Sequence, residues 1–445
     1  MFAAMDDLEE AVRAADAERV RELLAAGADP DTAGEDGLPV LCAAVAACDF
    51  EAAAALVEGG ADPERTLPDG TTPLLRAVEG GSPAVVSAVL GEDPGARLPE
   101  ADRARLLDAA RRWYAAGAEA ELRRLTGERG PARRRVVEED FADVEEVTLG
   151  GLTVRDGYGA VLTLLERVFG VRTPVEELVA RAVRHPEVTH VDWAESRHCL
   201  GRRTGETGTW RAVVALRRHP SPTHRLFAAD YVAVRDWCVN VGADSYEGER
   251  RELHAWVAEE SDVGVLVTLL GAFAGDPHVE GEAAGLSLAA HPDPRVRAAV
   301  PYCLGLLGEP LSPRARTALH VLAGDPEARV RTAAADMLGT GQTTAATRAV
   351  IADLLGDPET AVRHAAARSL ATSRDRTRAG TAMLVALLDA EEQPLRLEAA
   401  FGLALRDDPR APEAYARVGP LGPEFEDDPR VEGLWRWKLR NGPTG

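Results

Sequence analysis

The stretch DPEARVRTAAADML, Asp325 to Leu338, constrains this chain more than any other. Val330, Ala333, Ala334, Met337 and Leu338 fall at i, i+3, i+4, i+7 and i+8, one apolar stripe of a helix. Asp325 suits the N-cap, and Pro326 the first helical position, where its missing N–H costs nothing. The pattern returns as Asp357, Pro358, Val362, Ala365, Ala366 and Leu370. It also occurs upstream as His291, Val296, Ala299, Val300, Cys303 and Leu304. Arg297, Arg331, Arg363 and Arg396 each follow the first stripe residue. A helix recurring at a near-constant interval buries its stripe against its own neighbours, so the chain is predicted to stack.

The first part repeats at a different period. Leu8, Leu41, Leu74 and Leu107 share one phase, 33 residues apart, as do Ala11, Ala44, Ala77 and Ala110. Leu23, Leu56, Val89 and Leu122 share another. Turn signals lie between them: GADPD at Gly27 to Asp31, GADPE at Gly60 to Glu64, and the Asp36-Gly37 and Asp69-Gly70 pairs. Each unit reads as two short helices followed by a Gly/Asp-rich hairpin.

Asp69-Gly70-Thr71-Thr72-Pro73-Leu74-Leu75 and the GAD tripeptides resemble the ankyrin repeat. Leu75 and Cys42 stand where that family carries histidine, so the resemblance implies an incomplete hydrogen-bond ladder between loops. About four units fit residues 1–127, the outer ones degenerate as caps are. Residues 128–172 read as a charged linker and lead-in helix: Arg133-Arg134-Arg135 faces Glu138-Glu139-Asp140 and Glu145-Glu146, with a short hairpin at Gly150-Gly151. The arginines read as solvated beside nearby acids, with a binding patch as the other possibility. Val161, Leu164, Leu165 and Val168 mark the lead-in helix.

Helix pairs with a DP…VR…A…L second helix resemble HEAT repeats of the short bacterial kind, also seen in bilin-lyase-like proteins. About seven such pairs fit residues 173–410, most regularly from 291 to 406. The resemblance implies a ladder between units made by the acid before the second helix and the arginine inside it. Asp325/Arg331 and Asp357/Arg363 match both places; Arg297 and Arg396 match only the arginine, because His291 and Ala390 hold the acid's place. Residues 411–445, with Trp435 and Trp437, read as a C-terminal cap, a docking motif being the alternative.

Charge and composition narrow the function. The balance of 51 basic and 73 acidic residues, −22, disfavours nucleic acid and anionic membrane and favours a partner with a basic surface. Lys438 is the only lysine, which excludes a P-loop and Schiff-base chemistry; the arginine usage reads as high-GC bacterial codon bias. Five scattered cysteines without a CxxC pair read as buried thiols. The N-terminus is acidic where a signal peptide is basic then apolar, and Val263 to Gly275 is too short to span a bilayer, so a cytoplasmic protein is expected.

Two clusters carry possible chemistry. His185, His190, His198 and Cys199 are zinc-type ligands, but adjacent helical residues point about 100° apart, which favours packed histidines and no metal. Asp192, Trp193, Trp237 and Trp256 offer a concave Asp/Trp site of the kind a lyase or HEAT-like DNA glycosylase carries. The leading expectation is an all-α double solenoid, with minor β-hairpin content in the ankyrin loops and linker. It is expected to act as a non-catalytic scaffold or adaptor without cofactors, meeting a protein partner with its ankyrin loop tips and with the concave surface of its HEAT-like array. The ankyrin side would meet that partner at Gly34, Glu35, Asp36, Leu67, Pro68 and Asp69, with Cys42 and Leu75 on the short-helix face.

Overall fold

The computed structural model describes residues 2–203, 206–235, 246–274, 279–305, 310–341, 343–425 and 428–441. The chain divides into two compact units, Met1–Tyr231 and Val232–Gly445. The first holds α1 Phe2–Arg13, α2 Ala17–Ala25, α3 Val40–Ala47, α4 Phe50–Glu58, α5 Pro73–Gly80, α6 Pro83–Leu90, α7 Pro94–Arg97, α8 Glu100–Ala116 and α9 Ala118–Thr126. Strands β1 Arg133–Glu139, β2 Ala142–Leu149 and β3 Leu152–Arg155 follow, then α10 Tyr158–Val168, α11 Val175–Ala182, α12 Val191–Gly201 and α13 Thr207–Ala215. Helix α14, Pro222–Arg235, contains the division.

Polar caps set the starts of the short helices. Asp49, Thr72 and Ser82 accept the N–H groups of Ala52, Leu75 and Val85 at 3.0–3.1 Å. Gly27 and Gly60 turn the chain with φ of 94° and 101°, open to glycine without strain. Asp31 accepts the N–H of Asp62 from the next loop at 3.0 Å, one rung of a loop ladder. Short helices stack as α1, α3, α5 and α8, and their partners as α2, α4 and α6.

The next place in the second row goes to α10. It packs on α6 and α8, and Val161, Leu162, Leu164 and Leu165 share one core with the ankyrin leucines. Helix α9, expected to complete the fourth unit through Leu122, instead packs that leucine on the sheet with Val147, Leu149 and Val154. Trp113 stacks on Tyr158 there, ring centroids 4.9 Å apart. Helix α12 packs on α10 in turn, so the row continues without a break.

The segment read as a charged linker is therefore built structure. Its sheet has order β1-β2-β3, and Arg134 and Arg135 pair across strands with Glu145 and Glu146. These pairs join residues that are neighbours only after pairing, so along the chain they look like separate charge runs. The junction closes on Gly81, whose carbonyl accepts the Gly157 N–H at 3.2 Å, while Tyr158 donates to the Glu79 carbonyl at 2.8 Å.

The second unit holds α15 Tyr246–Glu259, α16 Val263–Phe273, α17 Val279–Leu288, α18 Pro294–Cys303, α19 Pro313–Leu322, α20 Ala328–Leu338, α21 Ala345–Leu355, α22 Thr360–Thr372, α23 Arg378–Leu387, α24 Gln393–Leu405, α25 Ala411–Val418 and α26 Glu432–Asn441. Its second-helix row runs α16, α18, α20, α22 and α24, and α25 and α26 cover α24. The predicted stripe is the core: Val330, Ala334, Val362, Ala365, Ala366 and Leu370 are buried.

Asp325 and Asp357 do not sit at the N-cap position. Helices α20 and α22 begin three residues later, and each carboxylate accepts the N–H two residues on at 2.9 Å, that of Glu327 and of Glu359. His291 serves the same turn through Nδ1, accepting the Asp293 N–H at 3.1 Å.

The ladder runs forward from unit to unit. Arg297 donates through Nε and Nη2 to Asp325 at 2.7 and 2.9 Å, and Arg331 likewise to Asp357 at 2.7 and 2.8 Å. Arg363 reaches Glu392 at 2.8 Å, a longer acid two residues beyond Ala390 that restores the missing carboxylate. Arg396 ends the series on the Val418 carbonyl at 3.2 Å. Each Nη1 also holds the two loop carbonyls before its own helix, as Arg331 does those of Asp325 and Pro326 at 3.0 Å. Arg225 clasps His219 and Pro220 in the same way at 3.0 and 3.2 Å, a member that the sequence pattern did not reveal.

Gly81 tests the junction. Its φ is 74°, and a Cβ there would lie 2.0 Å from the Arg155 carbonyl. Gly81→Ala should cost about 2 kcal/mol or more in the first unit, read as an earlier thermal or denaturant transition; an unchanged midpoint would mean that the sheet does not dock there.

Candidate functional site

The predicted ankyrin contact residues separate by burial. Glu35, Asp36, Pro68 and Asp69 are exposed and Gly34 is half-buried. Leu67, Cys42 and Leu75 are buried. The tip acids are engaged within the chain: Glu35 pairs with Arg13 at 2.9 Å, and Asp36 accepts the Leu38 N–H at 2.9 Å. Asp69 accepts from the Thr71 hydroxyl and N–H and from Arg76, which lowers its pKa to about 2.

The short-helix face opens a groove of about 500 Å³ between α5 and α8. Thr71, Leu75 and Glu79 form one wall, and Ala101, Ala104, Arg105, Asp108, Ala109 and Arg112 the other. Alanines on α8 leave the space, since a longer side chain at exposed Ala101 or Ala104 would fill it. Arg112 donates to Glu79 at 2.8 Å and Arg105 to the Gly70 carbonyl at 2.8 Å, so the rim is polar and preformed.

Asp192, Trp193 and Trp256 of the Asp/Trp group are all buried. Asp192 is 1 % exposed, and its Oδ1 accepts the Ala160 N–H at 2.7 Å, capping α10 from α12. Gly159 permits that approach, since a Cβ would meet Oδ2 at 2.4 Å. Burial raises the Asp192 pKa to about 7. Trp193 points elsewhere, edge-on to Phe227, with its indole N–H donating to Asp230 at 2.7 Å. Trp256 is buried in α15 and donates to Glu260 at 3.1 Å. Trp237 lies outside the described residues.

The histidines divide as well. His185 and His190 stack with ring centroids 3.8 Å apart, and one unit later His219 and His224 do the same at 3.8 Å. His185, His190 and Asp192 bring their ligand atoms within 4.8 Å of one another. The geometry opposes a shared ion, because parallel stacked rings send their lone pairs side by side instead of converging. His190 Nδ1 also accepts the Asp192 N–H at 3.1 Å, so its neutral ring carries the proton on Nε2. A metal there would require an imidazolate. His198 lines a separate hollow of about 340 Å³ with Glu139, Arg167 and Glu195, and buried Cys199 accepts from Arg203 at 3.5 Å.

Two family models match the chain. Ankyrin repeats, in three copies, cover residues 8–101, and HEAT repeats cover 282–371 and 316–404. No curated protein matches. Among solved structures, the X-ray structure of Escherichia coli YibA is 14 % identical over 60 % of this chain and 93 % of its own, with a TM-score of 0.42.

The capping role makes His190 pH-sensitive. Burial lowers its pKa to about 3, against an ordinary value near 6.5. For a histidine held neutral, the stability is complete above the unfolded value and is lost as pH falls toward the folded one. His190→Asn, whose amide oxygen also accepts the Asp192 N–H, should flatten the decline in melting temperature between about pH 6.5 and pH 3. An unchanged pH profile would show that His190 is not held neutral in this way. The family matches agree with the helix rows described above: an ankyrin-repeat stack in the N-terminal part of the chain and a HEAT-repeat stack in the C-terminal part.

Proposed function

We propose that the chain is a non-catalytic scaffold or adaptor that holds a protein partner on the short-helix face of its ankyrin stack. Ankyrin and HEAT repeats are commonly protein-binding scaffolds. The observation that carries the reading is the groove between α5 and α8: preformed, polar-rimmed and floored by alanine and leucine. Such a groove accepts an extended segment or a helix side chain without rearranging the repeats.

The HEAT arginines serve a different purpose on this reading, since their guanidinium groups are engaged in the ladder. The net charge of −22 steers basic partners over distances longer than any single pair. Glu35, Asp69, Asp108 and Glu79 are matched by Arg13, Arg76, Arg111 and Arg112, so among the described residues local selection by an unpaired acid falls to Asp36. Screening extends over about 8 Å at physiological salt, so association should slow as salt rises, chiefly in the on-rate.

Ala104→Trp fills the groove from an exposed site and leaves the core untouched. Proteins captured on the wild-type chain and lost on Ala104→Trp, by about tenfold or more in affinity at unchanged melting temperature, would support the assignment. Equal capture by both chains would place binding elsewhere. Asp192→Asn, which keeps an acceptor for Ala160, should leave capture unaltered.

A further inference from the structure

Strand β1 lies at one edge of the sheet. Its hairpin closes on Asp140 and Phe141, both with positive φ (48° and 65°), beside the Glu139↔Ala142 pair. This two-residue geometry makes Glu139 and Ala142 the hydrogen-bonded pair. Counting back, Arg134, Val136 and Glu138 turn their N–H and C=O groups away from β2. The far edge of β2 confirms the phase: the Asp143 N–H donates outward to Thr189 at 2.7 Å, and the Glu145 carbonyl accepts from Asp156 at 2.8 Å.

Among the described residues, nothing bonds to those outward groups of β1. The strand pairs from Arg133 to Glu139 without a bulge or a proline, two devices that keep edges from pairing. Val136, at its centre, is 69 % exposed.

We propose that this edge pairs antiparallel with the same edge of a second copy of the chain, about a two-fold axis at Val136. The sequence Arg133-Arg134-Arg135-Val136-Val137-Glu138-Glu139 is complementary in charge to its own reverse. Centred on Val136, Arg134 lies opposite Glu138 of the second copy, Arg135 opposite Val137 and Val136 opposite itself. Glu139, opposite Arg133, is buried and accepts the Ala84 N–H of its own chain, so the charge match rests on Arg134 and Glu138. All three outward residues then exchange backbone hydrogen bonds, and the two sheets become one. A centre at Arg135 would set that arginine against itself. A centre at Val137 would carry the pairing of Arg134 into the turn at Asp140, where the backbone has left the strand.

Glu138 is exposed and forms no ion pair within its own chain among the described residues. Arg134 lies on the same face, where it pairs with Glu119 and with Glu145 of β2. The contact thus supplies the acid with its missing partner.

Sedimentation of the full chain tests this pairing. The wild type should sediment at twice 47.4 kDa with a concentration-dependent monomer. Val136→Pro removes an N–H that β2 does not use, so it should yield monomer with unchanged helical signal. Glu138→Arg, on an exposed side chain, should do the same, and adding Arg134→Glu should restore the dimer. A wild-type chain that stays at 47.4 kDa at every concentration would overturn the proposal, as would a dimer that survives both single substitutions.

Discussion

The clasp made by each HEAT arginine is the interaction on which the second stack depends. A turn that precedes a packed helix carries carbonyl groups that must be satisfied where water is excluded. Arg331 satisfies two with Nη1 and directs its other nitrogens at the acid of the next unit. One side chain therefore closes its own loop and fixes the spacing of its neighbour. The acid is bound three ways, by two guanidinium nitrogens and by the N–H of its own turn, which holds the Asp357 pKa below the ordinary carboxylate range. Replacement of aspartate by His291 at one such turn keeps the backbone bond and drops the incoming pair, as a unit with a different neighbour can.

The first unit solves the same problem differently. Its loops are closed by aspartates and glycines, and its helices by Ser, Thr and Asp caps. Continuity comes from α10, whose residues Tyr158 to Glu166 are all buried. It faces α6 and α8 on one side and α12 on another, so the ankyrin row passes into the following helices without an intervening linker. The sheet and α9 are attached to this junction at Gly81, Trp113 and Tyr158.

What was legible in the sequence follows from these differences. Periods of 33 and 32 residues gave the stacking, because apolar stripes and turn glycines are local signals. The place of α10 was hidden, since a helix buried all round shows no face and names no neighbour. Strand β1 was hidden because its Arg–Glu pairs form only across strands. Asp192 and Trp193 were read as a pocket from their residue types; they are adjacent in sequence but turn toward different helices, one as a cap and one as core. His190 gave the clearest mismatch between type and role: its Nδ1 replaces a carboxylate oxygen, which no spacing rule reveals. The groove was partly legible, in that Leu75 and the Asp69 turn border it, while its opposite wall comes from the alanines of α8.

A double-mutant cycle on Arg331 and Asp357 tests the central claim most directly. Arg331→Ala, Asp357→Ala and the double variant would be compared by denaturant unfolding of the full chain. The forward ladder predicts a coupling of about 1–3 kcal/mol between them, with Arg331 and Asp325 coupled less because only the carbonyl of Asp325 meets that guanidinium. Additive effects, within about 0.5 kcal/mol, would contradict the account and leave stacking to the apolar stripe alone.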